Sequence, residues 1–315
     1  MTGRGHSAPM WASDYHAPAL AAEVLDVLAG ARRVLDGTLG GGGHAEALLA
    51  SGATVTGVDR DPDAIAVAER RLAPFAAEGR FRALLGNYAR LDRVPDLAGL
   101  RFDGILLDLG ISSHQIDDAD RGFTFRQGAP LDMRMGGDSA TDAASFLATA
   151  PTDELTRVFR EYGDEPRAGR LAREVDRRRA TAPFRTSDDL VGAIRGALGP
   201  RTGPADFARL FQAVRIAVND ELEGLRRALP DLRERLESGG VIAVIAYHSG
   251  EDRLVKQSFR EWSAACVCPP KQPVCTCRGR PLGTLLTRKA VVAGADEVAG
   301  NARARSARLR AWRRG

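Results

Sequence analysis

Short apolar segments bounded by acids and turn residues recur at 33–36, 54–59, 81–85 and 104–109 with helical patterns between them, and the signal returns at 241–247. A parallel strand connection must cross back over the sheet, and a helix spans that distance, so the alternation predicts an α/β chain with a helix-flanked parallel sheet. The rhythm stops after Ile111. A polar segment follows, then helical patterns at 143–147, 153–162, 170–179 and 187–198. A helix expected over 206–229 leads back to the strand at 241. The chain is therefore read as a discontinuous sheet domain, 1–111 and 206–315, with an inserted helical domain, 112–205, that serves as a lid or substrate-recognition platform. At 315 residues it can bury a substantial core.

The turn after the first strand narrows the ligand class. Val34 to His44 read VLDGTLGGGGH, so the glycines Gly40 to Gly43 stand between a strand ending in Asp36 and a helix carrying Ala45, Leu48 and Leu49. Lacking Cβ, glycine lets the chain turn sharply and lets a ligand approach the main chain closely. Gly40, Gly42 and Ala45 satisfy the loose G-x-G-x-x-G/A pattern, with Asp59 near the spacing of the acid that grips a ribose. Taken alone, the pattern equally describes a surface turn. Context favours a ligand site. The second strand ends GVDRDPDAI, where Asp61 can cap a helix opened by Pro62, which fixes Asp59 at the strand's carboxyl end. Open parallel sheets bind ligands at those ends, where strand order reverses, so Gly40 to His44, Asp59, Asn87-Tyr88 and Asp108 are expected around one crevice.

From Asp103 the chain reads DGILLDLGISSHQIDDADRGFTFRQGAPLDMRM, an apolar strand that delivers Asp108 to the crevice rim, then a stretch rich in functional groups. The fifth strand ends in Tyr247-His248-Ser249, which brings an aromatic ring and an imidazole beside Asp108. His248 also reads as a hydrogen-bonded histidine at a strand end. A nicotinamide enzyme would need a hydride site and a proton donor, whereas carboxylates, amides and hydroxyls around an aromatic suit methyl transfer. S-adenosylmethionine has a ribose for Asp59 to hold and no pyrophosphate, so the glycine loop would accommodate its methionine end. Its methyl group is already activated. Transfer to an amine then depends on positioning, desolvation and an acceptor for the amine proton.

Net charge is only +4, yet 301–315 carries Arg303, Arg305, Arg308, Arg310, Arg313 and Arg314 without an acid. That reads as a basic edge for a phosphate backbone or as a solvated terminus. The arginines of the insertion alternate with acids, and a salt-bridged solvent face accounts for most of them. The longest apolar stretch, near 241–246, is too short to span a bilayer and no leader pattern appears, so no membrane and a cytoplasmic location are expected. Cys266, Cys268, Cys275 and Cys277 fall within twelve residues and can close a tetrahedral zinc site of structural kind. Reduced thiols and redox-formed disulfides are the competing readings. A monomer and a homodimer are both compatible with the sequence.

Taken together, HAPALAAEVLDVL from His16, DGTLGGGGH from Asp36, GVDRDPDAI from Gly57, DGILLDLGISS from Asp103, DDADRGFTFRQGAPLDMRM from Asp117, FQAVRIAVNDEL from Phe211, YHSGEDRLVK from Tyr247 and NARARSARLRA from Asn301 carry a resemblance. The chain resembles the MraW family of ribosomal RNA N4-cytosine methyltransferases nearly end to end. The resemblance implies a class I, Rossmann-like S-adenosylmethionine-dependent methyltransferase sheet with an inserted helical domain. It implies action on the exocyclic N4 amine of a cytidine in the decoding region of 16S ribosomal RNA, within the small ribosomal subunit. Motif by motif, the cofactor contacts would be Gly42, Gly43, His44, Asp59, Tyr88, Asp108 and Gln115. Asp108-Leu109-Gly110-Ile111 stands where many amino-group methyltransferases carry D/N/S-P-P-Y/F. For catalysis the expectation is therefore that Asp108 orients the amine or accepts its proton, while Asp132, Arg134 and His248 help position the base and its phosphate. Asp132 and Arg134 also read as a buried ion pair that holds the insertion. The competing functions are a catalytically silent ribosome-assembly RNA-binding protein and an NAD-dependent oxidoreductase.

Overall fold

The computed structural model describes residues 18–269, 272, 274 and 276–315. Among these, β1 (Arg33–Asp36), β2 (Thr54–Asp59), β3 (Phe81–Leu85), β4 (Phe102–Asp108), β5 (Leu236–Ala246), β6 (Gly283–Leu285) and β7 (Arg308–Arg314) form one sheet in the order β3-β2-β1-β4-β5-β7-β6. The first five pair in parallel. β7 runs antiparallel between β5 and β6. Successive residues of a strand point to opposite faces, so its apolar residues feed two cores. Val34, Leu106, Ala243, Ile245 and Leu309 enter one, and Leu35, Ile105, Leu107, Ile242, Val244 and Trp312 enter the other. Burial on both faces is why 105–107 and 241–246 read as unbroken apolar runs.

The chain divides into two compact units. One runs to Gly110 and resumes at Gly224, and the other is Ile111–Glu223. The second unit packs the helices Ala143–Thr149, Thr152–Glu161, Ala168–Arg179, Ser187–Leu198 and Pro204–Asn219 around Leu155, Phe159, Leu171, Ile194, Phe211 and Val214. Buried Asn219 joins its parts: Oδ1 accepts from the Met135 amide at 2.9 Å and Nδ2 donates to the Met133 carbonyl at 2.7 Å.

Three sequence expectations change here. The helix expected over 206–229 is two helices, Pro204–Asn219 and Glu221–Glu234, parted at Asp220, whose φ of 53° is left-handed. A residue in that conformation ends a helix, and Asp tolerates it better than most. Phe207, Leu210, Phe211 and Val214 bury into the insertion's core, so the first helix belongs to the insertion and the boundary falls after it rather than at 206. The arginine-rich terminus is not frayed, because Arg308–Arg314 form the paired strand β7. Within β7, Leu309, Ala311 and Trp312 are fully buried, Arg310 pairs with Asp252, and Arg314 Nη1 donates to the carbonyls of Arg233, Glu234 and Leu236. No helix among the described residues is long and apolar enough to cross a membrane.

Candidate active site

Strands 1, 2 and 4 end in Asp36, Asp59 and Asp108, and β1 lies between β2 and β4. From β1 the chain steps outward to β2 and β3, then returns to β4 and β5, so the β1–β4 border is the switch point where ligands of such sheets bind. The Gly37 amide extends the ladder by donating to Leu106 O at 2.9 Å. A Cβ on Gly37 would sit 2.6 Å from Leu107 Cδ2 and 3.2 Å from Tyr88 Cβ, so its bareness lets half-buried Tyr88 close on the end of β1. Thr38 then accepts the Asp108 amide proton on Oγ1 at 2.6 Å, tying the β1 turn to the end of β4.

The glycine loop and the acid of β2 meet directly. Asp59 Oδ2 accepts from the Gly40 amide at 2.8 Å, and Oδ1 accepts from the Asp61 amide at 2.9 Å. Gly40 and Gly42 both have positive φ, 51° and 80°, which a side chain would resist. Asp61 caps the helix Pro62–Arg71 through the Asp63 amide, as its position before Pro62 predicts. Burial pushes the Asp59 carboxyl up to about 6, against the lowering pull of its two amide donors. Asp36 is driven further, to about 7, because burial outweighs the attraction of His44, with the negative charges of Asp108 and Asp59 adding to the rise.

Around Asp108 three elements converge. His44 Nε2 lies 2.9 Å from Ala19 O, and since a carbonyl only accepts, that nitrogen carries the proton. Its Nδ1 stands 3.6 Å from Asp108 Oδ2. Asp108 Oδ1 accepts from the Tyr247 hydroxyl at 2.8 Å. Burial, then the charge of Asp108, push that hydroxyl well above its usual range, so it stays protonated. The sequence placed Tyr247 beside Asp108 without giving it a role. Register is the signal for one: Ile245 lies opposite Asp108 in the β4–β5 ladder, and Tyr247 follows two residues on, facing the same side.

The remaining expected residues are engaged locally. His248 caps the helix Ser249–Ser263, its Nδ1 accepting from the Gly250 amide at 3.2 Å. Its buried Nε2 lies 3.2 Å from Glu251 Oε1, without the alignment of a hydrogen bond. Glu251 completes the cap by accepting from the His248 amide at 3.4 Å, and it also accepts from the Tyr247 amide at 2.9 Å, so this turn also sets where Tyr247 sits. Within the insertion, buried Gln115 accepts the Ser112 amide on Oε1 at 3.0 Å, and Ser112 Oγ accepts the Gln115 amide at 3.2 Å. Asp132 and Arg134 pair with each other at 2.7 Å, but their side chains are 31% and 44% exposed. The expected buried ion pair is thus a surface pair closing a turn in which Met133 has a φ of 60°. Arg134 donates into Asp132 and holds its carboxyl below the usual range. In the first unit, the sulfurs of Cys266, Cys268 and Cys277 lie within 4.8 Å of one another, and Cys275 falls outside the described residues.

Known proteins match this chain over nearly its whole length. A model of the MraW methylase family matches residues 13–315. Ribosomal RNA small subunit methyltransferase H of Gemmatimonas aurantiaca is 64% identical over 299 residues, covering 95% of each chain. The proteins of the same name from Myxococcus xanthus and Heliobacterium modesticaldum are 49% and 45% identical, covering 96% and 94% of this chain and 98% and 97% of their own.

Proposed function

The chain belongs to the MraW methylase family, and from that premise we propose that it methylates the exocyclic N4 amine of a cytidine in the decoding region of 16S ribosomal RNA, within the small ribosomal subunit in the cytoplasm. The observation that carries the reading is the bond between Asp59 and the Gly40 amide, beside Asp108 at the switch point of the sheet. A half-buried acid for ribose hydroxyls, a bare glycine backbone beside it and the half-buried ring of Tyr88 form a donor set that fits S-adenosylmethionine. Gly42, Gly43, His44, Asp59, Tyr88 and Asp108 would hold it. When bound, it supplies a methyl group already activated as an electrophile.

The protein's own work is positioning and proton handling. Asp108 would orient the cytosine amine and accept the proton that the nitrogen sheds. Tyr247 and His44 flank the two carboxylate oxygens and fix the direction they face. Asp132 and Arg134 offer charged groups to the RNA from the insertion, whose role is substrate recognition. His248 acts through the turn it caps.

Mapping of methyl groups in 16S ribosomal RNA by mass spectrometry, in cells with and without the protein, tests this. One decoding-region cytidine is expected to lose its N4-methyl when the protein is absent, and an unchanged map overturns the assignment. Folded Asp108→Ala that still binds cofactor yet methylates small subunits at the normal rate would remove Asp108 from the mechanism.

A further inference from the structure

We propose that Cys266, Cys268 and Cys277 form a zinc site of structural kind that fastens the loop between the helix Ser249–Ser263 and β6. The sulfurs of Cys266 and Cys277 stand 3.9 Å apart, and all three described sulfurs lie within 4.8 Å. Zinc–sulfur bonds of about 2.3 Å in a tetrahedron put neighbouring sulfurs about 3.8 Å apart, whereas a disulfide needs about 2.05 Å. The Cys266–Cys277 spacing matches that of shared metal ligands and exceeds a disulfide bond. Backbone amides also turn toward the sulfurs: Val267 donates to Cys277 Sγ at 3.4 Å, and Thr276 and Cys277 donate to Cys268. Such donors satisfy the lone pairs of metal-bound thiolates and fix their direction.

A second observation comes from burial. Not one described residue between 264 and 282 is buried, and Val267 and Val274 are 39% and 71% exposed. The base of the loop is pinned, since Arg278 donates to Glu261 and Ala264 carbonyls and the Leu282 amide donates to Trp262 O at 2.8 Å. The described residues of its tip offer no buried apolar core to hold the three cysteines in register. A segment that cannot bury enough surface keeps its shape through a cross-link or a metal. Cys266 and Cys268 come from one side of the loop and Cys277 from the other, and Arg278 and Arg280 offset the negative charge their thiolates would carry.

The test is metal analysis of the full chain, purified without a metal-binding tag. About one zinc per chain is expected, with X-ray absorption showing at least three sulfur neighbours at about 2.3 Å. Cobalt substitution should give the visible bands of a tetrahedral thiolate site. Cys266→Ser with Cys277→Ser should drop bound zinc at least tenfold while far-ultraviolet circular dichroism of the sheet unit is kept. Zinc below a tenth of an equivalent, disulfides by mass mapping, or metal surrounded only by nitrogen and oxygen overturns the site. The zinc count and the ligand set both come from the wild-type protein, so the site stands or falls on them even if the double variant misfolds.

Discussion

The hydroxyl of Tyr247 donates a 2.8 Å hydrogen bond to Oδ1 of Asp108 across the carboxyl ends of β5 and β4. The phenol remains a donor through the neutral and mildly alkaline range, because burial and the neighbouring charge oppose its ionisation. Tyr247→Phe keeps the packing and removes that donor. The turnover number is expected to fall about tenfold, near 1.4 kcal/mol, while affinity for S-adenosylhomocysteine changes less than threefold. Equal loss of both would make Tyr247 a cofactor contact instead.

Asp36 sits fully buried with its carboxyl raised to about 7 from an ordinary value near 4. A raised carboxyl binds its proton more tightly folded than unfolded, so its contribution to stability declines as pH rises from about 4 to about 7. Asp36→Asn retains an oxygen for the Thr38 amide and has no charge to bury. At pH 8 the variant is expected to be more stable by on the order of 2–4 kcal/mol, with the advantage gone near pH 4. Thermal melts at both pH values measure this, and a pH-independent difference would contradict it.

Gly42 holds a φ of 80°, and a Cβ there would lie 3.0 Å from Leu72 Cδ1. Gly42→Ala is expected to cost about 1–2 kcal/mol through the left-handed backbone alone. Calorimetry should show weaker S-adenosylhomocysteine binding as the loop shifts. Gly52→Ala, beyond the far end of the helix Gly43–Ala50, where Gly52 also has positive φ but an added Cβ meets nothing within 4 Å, should lower stability and spare binding.

Arg310 is 6% exposed on β7 and donates through Nε and Nη2 to Asp252 at 2.7 and 3.1 Å. Asp252→Ala leaves a buried guanidinium without its carboxylate, for an expected loss of about 3–5 kcal/mol. Pairing Asp252→Leu with Arg310→Met should recover most of it. Denaturant midpoints of the three proteins decide the point, and a single variant as stable as wild type would show the pair to be solvated.

Sequence by itself determined the first five strands, the turn chemistry that caps them and the acids at their ends, because apolar runs and a Gly- or Pro-marked turn are local properties of the chain. It also identified the family, which needs only motifs in order. Tertiary structure decided what depends on partners far along the chain. β7 escaped detection because its arginines mask a strand whose Leu309, Ala311 and Trp312 are buried by neighbours at other positions. Asp220 looked helical until its left-handed turn broke the long helix, since no nearby residue signals that bend. The insertion's limits followed from where Phe211 and Val214 pack. His248, an imidazole beside a carboxylate on paper, became a helix cap, and Tyr247 acquired Asp108 through strand register across 139 residues. Hydrogen-bond partners that distant are set by the sheet, and a pattern read along the chain does not contain them.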